Sequence, residues 1–471
     1  MKTNRKLVLI AILVATFLCA MEGTIVSTAM PSIIRDLNGV EYVSMIFSIY
    51  LLVCAVTTPI YGRLADLFGR KIVLSTAIIL FLVGSFLSGF AQSMTELIVF
   101  RAIQGLGAGA VLPLSTTIIG DMFNTEERTR MQALFSGVWA ISGVSGPLVG
   151  GFIVESLNWR WVFFINLPFG LMSLMVLWLS FHEIFEKKQK LSIDWAGAAA
   201  FLISITSLLY VLLFGEKKGF LAAENLLLEA IFIVFLLLFF RIERRAADPF
   251  LPLTLLKSRI VLIPNLFGFF AFSFLIATTV YFPMWIQEIL HKSPTASGFA
   301  LTFITLGWPI GSILNARLIK QFGPWKVTIA GALLLAISGL LLLLIDVDTP
   351  MAMFYLIMFL AGIAFGLTTT VLMIILQNSV EWNQRGVVMS SNALLNTLGQ
   401  TIFIAIFGAV FNSLVTGDTV NGMVHGMQTV FLCVASITVL SFLIALRLPR
   451  ITKEQLFQEK PMATATDANN A

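Results

Sequence analysis

The chain has 471 residues, of which 58% are hydrophobic and only 12% charged, and its mean hydropathy is +0.94. Soluble domains are about 45–50% apolar and about 25% charged. This composition therefore excludes soluble enzymes, nucleic-acid-binding proteins and disordered scaffolds. The net charge of +5 comes from short basic clusters between apolar runs, which is typical of the loops of a membrane protein rather than of an anion-binding patch.

Fourteen apolar segments are long enough to cross a bilayer as helices, which takes about 17–25 residues each. In chain order the predicted spans are 7–33, 43–61, 72–91, 95–120, 131–155, 161–181, 195–214, 225–241, 260–284, 296–318, 327–345, 351–377, 387–414 and 425–447. In this arrangement 24 of the 30 lysine and arginine residues fall on the side that carries both termini. Because basic residues concentrate on the cytoplasmic side, both termini are predicted to be cytoplasmic.

An internal repeat relates the two ends of the chain. Residues 62–69 match residues 316–323 at four of eight positions, and Gly105-x-x-x-Gly109 recurs as Gly362-x-x-x-Gly366. Two related six-helix halves with a site between them are a transporter plan, and the absence of a nucleotide-binding P-loop indicates a gradient as the driving force. The predicted domains are an N-terminal half (1–190), two additional helices (191–245), a C-terminal half (246–450) and a disordered cytoplasmic tail (451–471).

Several motifs together resemble the major facilitator superfamily, and within it the fourteen-span drug:proton antiporters. They are the loop 62–71 (Gly-Arg-Leu-Ala-Asp-Leu-Phe-Gly-Arg-Lys), Arg101 with Gln104-Gly105, 146–151, 159–168, 194–197, and Met21-Glu22-Gly23-Thr24, where the family usually has aspartate. The resemblance implies an all-α polytopic membrane protein with two six-helix halves plus two extra central helices. It also implies drug export in exchange for protons. No cofactor or metal is expected, because the residues offer no metal-ligand spacing and no cofactor loop.

Glu22 is the most informative charge, because it lies near the middle of the first span. An ionised carboxylate there costs several kcal/mol and usually faces the interior of the helix bundle. Removed from water, it binds a proton readily, and a cationic substrate would favour its ionised form. Glu22 is therefore predicted to couple protons to transport and to contact substrate. The alternative is a structural partner for another polar group.

Arg101, in the fourth span, stays charged at any relevant pH. It is predicted to take part in proton coupling. It could also snorkel outward or hydrogen-bond helix backbone, and it can pair with Glu22 only if the two lie at the same depth.

The loop 62–71 is predicted to act in gating through Gly62, Arg63, Asp66, Gly69 and Arg70. An arginine–carboxylate contact at a helix end can hold one side of the transporter closed and break as that side opens. The alternative is a solvated loop whose basic residues only set topology.

A second gating element is predicted in the fifth span at Gly146, Pro147, Gly150 and Gly151. Missing side chains permit close helix approach, and proline frees a backbone carbonyl. The functional interpretation is a flexible contact between the halves. Ordinary small-residue packing is the alternative.

Substrate contacts follow from the abundance of aromatic residues and methionine, which suit promiscuous apolar binding. Aromatic faces beside a carboxylate favour lipophilic cations. The candidates besides Glu22 are Trp139, Phe267, Tyr281, Trp308 and Asn396.

The predicted function is thus proton-coupled export of lipophilic, often cationic drugs, dyes or biocides across a bacterial cytoplasmic membrane. An exporter of one physiological solute is the nearest alternative. A sensor or channel is disfavoured because no ring-forming charge repeats occur, and an enzyme because no nucleophile–base pair or metal cluster can be assembled. The predicted partners are the lipid bilayer, protons and small lipophilic substrates, with no nucleic acid, and the chain is predicted to be a monomer.

Overall fold

The computed structural model describes residues 3–123, 125–183, 195–218, 222–245, 257–380, 385–415 and 420–450. These residues include fourteen helices long and apolar enough to cross a membrane, which confirms the predicted number of spans. They are α1 (Arg5–Leu37), α2 (Val43–Phe68), α3 (Arg70–Phe90), α4 (Met94–Met122), α5 (Thr125–Ser156), α6 (Trp161–Phe164 and Asn166–Ser180), α7 (Trp195–Lys218), α8 (Ala223–Glu243), α9 (Arg259–Met284), α10 (Pro294–Phe322), α11 (Pro324–Leu341), α12 (Met351–Ser379), α13 (Arg385–Leu414) and α14 (Val420–Ala445). The predicted disordered tail lies outside the described residues.

Several helices extend beyond the predicted spans. Helix α1 has 33 residues and begins after Asn4, whose side chain accepts a hydrogen bond from the Leu7 amide. Helix α10 begins in the same way after Ser293, followed by proline at its first turn. Capping residues therefore fix these helix starts. At 1.5 Å per residue α1 is about 50 Å long, well beyond the roughly 30 Å hydrocarbon core.

The internal repeat is visible in the backbone. Gly69 and Gly323, the last residues of the two matched segments, have φ angles of +87° and +86°. This left-handed conformation favours glycine, and it starts α3 in one half and α11 in the other. The paired glycines also correspond: Gly105 and Gly109 of α4 lie against α2, as Gly362 and Gly366 of α12 lie against α10.

Helices α1–α6 form one half of the bundle and α9–α14 the other. The halves meet where α5 packs against α10, α2 against α13 and α1 against α9. Helix α7 contacts both α2 and α13 and covers the seam between them, while α8 packs on α7. The predicted domain boundaries after residues 190 and 245 fall within or beside segments outside the described residues and stay predictions.

The side of the bundle where α1 begins is called here the termini face, and the side where α1 ends the opposite face. Polar contacts join the two halves near the opposite face. They are Gln287 Nε2 donating to the Thr28 carbonyl at 3.0 Å, Thr295 Oγ1 donating to Glu155 Oε2 at 2.6 Å, and the ion pair Arg35–Glu288 at 3.5 Å. The halves are therefore in contact on this side.

Candidate functional site: a buried ion pair in the N-terminal half

Glu22 lies in the middle of α1 and is completely buried. Its carboxylate has a hydrogen-bond donor on each oxygen. Arg101 Nη1 donates to Oε1 at 2.5 Å, and Asn166 Nδ2 donates to Oε2 at 2.9 Å. The charged carboxylate is thus removed from water and paired inside the bundle, which is how buried charges are tolerated.

Arg101 lies on α4 and is 1% exposed. Besides Glu22, its Nη1 contacts Gln104 Oε1 at 2.7 Å, and its guanidinium lies 4.2 Å from the centre of the Tyr50 ring. A stacked guanidinium on an aromatic face gains a cation–π attraction. The structure therefore supports the pairing of Arg101 with Glu22 over the snorkelling interpretation.

Asn166 lies on the face of α6 that packs against α1 and α3. The two segments of α6, Trp161–Phe164 and Asn166–Ser180, are joined by Ile165, whose φ of −58° and ψ of −27° are helical. The Asn166 amide donates to Ser85 Oγ at 2.9 Å as well as to Glu22. A polar residue of α6 thus links α1 and α3 in the core of the half.

The network can change its charge by one proton. While Glu22 is ionised, Arg101 is held by a short charge-assisted hydrogen bond. When Glu22 binds a proton, that attraction is lost although Arg101 stays charged. A buried pair that loses one charge is destabilised by several kcal/mol unless its surroundings rearrange. Proton binding at Glu22 would therefore favour a different arrangement of this network, and its role in proton coupling stays a prediction.

The predicted gating glycines of α5 face two different neighbours. Gly146 lies against Met21 and Thr24 of α1, and Gly150 against Ile25 and Thr28. These two glycines therefore allow α5 to approach α1 of the same half, close to Glu22. The sequence predicted a contact between the halves for the whole motif, whereas Gly146 and Gly150 make a contact within the N-terminal half.

Gly151 and Pro147 do lie between the halves. A Cβ on Gly151 would meet the backbone of Pro294 and Thr295 of α10, and the Pro147 carbonyl faces Gly298. Thus one motif holds two glycines, Gly146 and Gly150, that pack within a half, and one glycine, Gly151, that with Pro147 lies between the halves.

The segment 62–71 was predicted as a loop, but residues 62–68 end α2 and Arg70 and Lys71 begin α3, with only Gly69 between the two helices. The segment makes contacts within the N-terminal half. Arg70 Nε lies 2.8 Å from Asp121 Oδ2 at the end of α4, and the amides of Arg70 and Lys71 each donate to the Glu183 carboxylate at 2.9 Å. A Cβ on Gly62 would find open space. The side chains of Arg63 and Asp66 lie outside the described residues, so their part in a latch stays a prediction.

Four of the five further candidates for substrate contact lie on helices of the C-terminal half. Phe267 and Tyr281 are each 1% exposed, Trp308 stacks on Phe365 at 5.0 Å, and the Asn396 amide donates to Asn392 at 3.3 Å. Trp139 on α5 is 46% exposed. Their role in binding substrate stays a prediction.

Sequence reasoning missed the site roles of Tyr50, Ser85, Gln104 and Asn166. Gln104 and Asn166 stand in the motifs that carry the family resemblance, but the motifs assign them no partner. A polar amide inside an otherwise apolar span was the available signal, because such residues usually face the bundle interior. That Glu22 is the partner of Asn166 is known only from the packing of α6 against α1 in the structure.

Comparison with known proteins places the chain in a family of transporters. The model of the Major Facilitator Superfamily matches residues 12–404. Multidrug transporter protein MdtP of Bacillus subtilis (strain 168) is 35% identical over 413 residues, which cover 88% of this chain and 76% of the relative. Multidrug resistance protein 3 of the same organism is 34% identical over 429 residues, with 91% and 83% covered.

Solved structures agree at the level of fold. A peptide transporter of the POT family in an autoinhibited state superposes with a TM-score of 0.69 at 15% identity, over 96% of this chain and 99% of that one. A bacterial homologue of the lysosomal transporter Spinster, inward-facing and unoccupied, gives 0.66 at 14% identity, over 96% and 100%. At such identities the likeness shows the shared helical architecture alone.

Proposed function

We propose a drug-export function for this chain, which belongs to the major facilitator superfamily and is a multi-pass protein of the cell membrane. It exchanges protons for lipophilic, often cationic drugs, dyes or biocides across a bacterial cytoplasmic membrane. The multidrug transporters at 34–35% identity support this substrate class. The chain acts as a monomer, since each chain has both halves.

The observation that carries the proposal is the fully buried pair of Glu22 and Arg101. Ionisable residues inside a membrane domain are costly and are kept mainly for function. Protonation of Glu22 breaks the pair and so favours a different arrangement of α1 and α4. A proton gradient can therefore drive the change of state.

Because Glu22 is completely buried within the N-terminal half, its competition with substrate is indirect in this state. A cation bound between the halves favours the ionised carboxylate by charge, and proton uptake disfavours the cation. The aromatic residues of the C-terminal half, such as Trp308 against Phe365, supply faces that attract lipophilic cations.

The contacts at the opposite face, such as Gln287 to Thr28, belong to one of the two states of alternating access. With both termini in the cytoplasm, as the basic residues predict, this state is closed to the outside.

The membrane potential sets the energy available for exchange: each 100 mV supplies about 2.3 kcal/mol per elementary charge moved inward. One proton exchanged for one monovalent cation moves no net charge and relies on the pH gradient alone.

The test is export of ethidium, a lipophilic cation, from proteoliposomes with an imposed pH gradient. We expect transport that follows the gradient and stops when a protonophore collapses it. Ethidium flux that ignores the gradient would contradict proton coupling. Competition by unrelated cations such as tetraphenylphosphonium distinguishes a multidrug exporter from an exporter of one physiological solute, which would reject both.

A further inference from the structure

Asn166 is a polar residue for which the established family assignment provides no role. It is completely buried and is the first residue of the second segment of α6. Its Nδ2 donates both to Glu22 Oε2 and to Ser85 Oγ, each at 2.9 Å. The NH2 group of the amide therefore faces the Glu22 carboxylate and the Ser85 hydroxyl.

The orientation of this amide is fixed by a second hydrogen bond. Ser85 Oγ donates its hydrogen to the Phe163 carbonyl at 2.8 Å. Because a hydroxyl has one hydrogen to donate, Ser85 can only accept from Asn166 while that bond is made. Ser85 and Phe163 thus hold the Asn166 amide with its hydrogens toward Glu22, an arrangement that suits the ionised carboxylate.

The other end of the same amide is free to serve the protonated state. Asn166 Oδ1 is buried and has no hydrogen-bond partner among the described residues. A protonated Glu22 would need an acceptor for its O–H, and a half-turn of the amide would present Oδ1 to it. That rotation requires Ser85 to release the Phe163 carbonyl and to donate to Asn166 instead.

We propose that Asn166 is a positioning residue that sets the pH at which Glu22 takes up its proton, through an amide orientation held by Ser85. The inference rests on the proposed proton-coupled function. In the ionised state the amide donates to Glu22. In the protonated state it accepts from Glu22, so proton uptake is linked to a side-chain rotation in α6.

The other charged, titratable and polar groups near Glu22 come from α1 to α6. Arg101 of α4 is the charged partner, and the titratable side chains nearby are Cys19 on α1 and Tyr50 and Cys54 on α2. Helices α3 and α6 contribute the uncharged Ser85 and Asn166, and α5 presents Gly146 to α1.

The experiment is an infrared pH titration of the purified full-length protein. The carbonyl band of protonated Glu22 is identified as the band that Glu22→Gln removes. Asn166→Leu keeps the branched shape of the side chain but removes both its donor and its acceptor, so each protonation state loses one hydrogen bond. The bond lost by the ionised state is the stronger one, because hydrogen bonds to charged groups are stronger than neutral ones. We therefore expect the midpoint of the band to move to higher pH by about one unit.

Two further variants make the result specific. Ser85→Ala frees the amide to rotate toward the protonated carboxyl, and we expect a smaller shift in the same direction. This variant also carries the test if Asn166→Leu fails to fold. Asn225→Leu is the matched control, because Asn225 is buried and donates to the Gly215 carbonyl in the α7–α8 pair, and we expect no shift.

An unchanged midpoint in Asn166→Leu or, where that variant fails to fold, in Ser85→Ala overturns the proposal, even if transport is lost, because a merely structural role would spare the titration. If ethidium export is proton-driven and depends on Glu22 while the midpoint does not move, the positioning role fails and the proposed function stands. If the midpoint moves but export ignores the gradient, the positioning role stands and the proposed function fails.

Discussion

The interiors of the two halves differ although their helices repeat. In the N-terminal half, Glu22 and Arg101 form a buried ion pair. In the described part of α9–α14, the fully buried polar side chains are uncharged. Aromatic pairs fill much of that core, such as Phe282 with Phe354 at 5.1 Å.

Under the proposed function, this difference would separate two tasks on one repeated scaffold. A buried charge pair is costly relative to apolar packing and is weak evidence for stability, so its presence in one half points to proton chemistry there. Aromatic rings pack densely and offer apolar faces with specific geometry, which suits the C-terminal half to substrate contact. We therefore expect substitutions in the two halves to affect different observables.

The largest effect should come from breaking the ion pair. Arg101→Met leaves the Glu22 carboxylate without its charged partner, and removing one member of a buried pair typically costs about 3–5 kcal/mol. We expect a lower melting temperature in detergent and loss of gradient-driven ethidium export. Glu22→Gln combined with Arg101→Met should recover stability but not export. If Arg101→Met alone is as stable as the parent, Glu22 and Arg101 do not form an ion pair in the membrane.

The contact between halves can be tested with two glycines of one helix. Gly151→Leu places a side chain against the α10 backbone, whereas Gly137 has open space around its Cβ position. Overpacking costs about 1–3 kcal/mol, so we expect Gly151→Leu to slow ethidium export about tenfold or more. Gly137→Leu should export at nearly the parent rate. Equal rates would show that close approach at Gly151 is dispensable.

The sequence predicted the number of helices and the repeat, because both depend on local patterns. It left the pairing of Glu22 with Arg101 open, because α1 has 33 residues and extends well beyond the bilayer core, so counting from a helix end does not give depth. Asn166 could not be assigned to Glu22, because the two residues are 144 positions apart in the chain and meet only through helix packing. Likewise, a glycine motif does not reveal which neighbour each glycine faces.

A substitution in the C-terminal half should change substrate affinity alone. Trp308→Ala removes a ring that stacks on Phe365. If that surface binds cations, the loss of a cation–π contact of about 0.5–2 kcal/mol weakens the apparent affinity for ethidium about 2- to 30-fold. Proton release per ethidium bound should stay at the parent value. A variant that binds normally but releases fewer protons would contradict the division between halves.

The sequence predicts that Asp66→Asn impairs export while membrane insertion stays intact. Unaltered export by this variant at matched protein levels would count against a latch in the segment 62–71.

The smallest effect is expected at Asp121, near the end of α4. Its side chain pairs with Arg70, and both side chains are partly exposed. Exposed pairs contribute about 0.2–1 kcal/mol, so Asp121→Asn should change ethidium export less than about fivefold.

The most direct test of the account is proton release when ethidium is added to lightly buffered, purified protein. Wild-type protein should release protons, because the bound cation favours ionised Glu22. Glu22→Gln, nearly isosteric and unable to ionise, should release none, and Glu22→Asp should retain part of the release. If the glutamine variant releases as many protons as wild type, Glu22 is not the proton carrier.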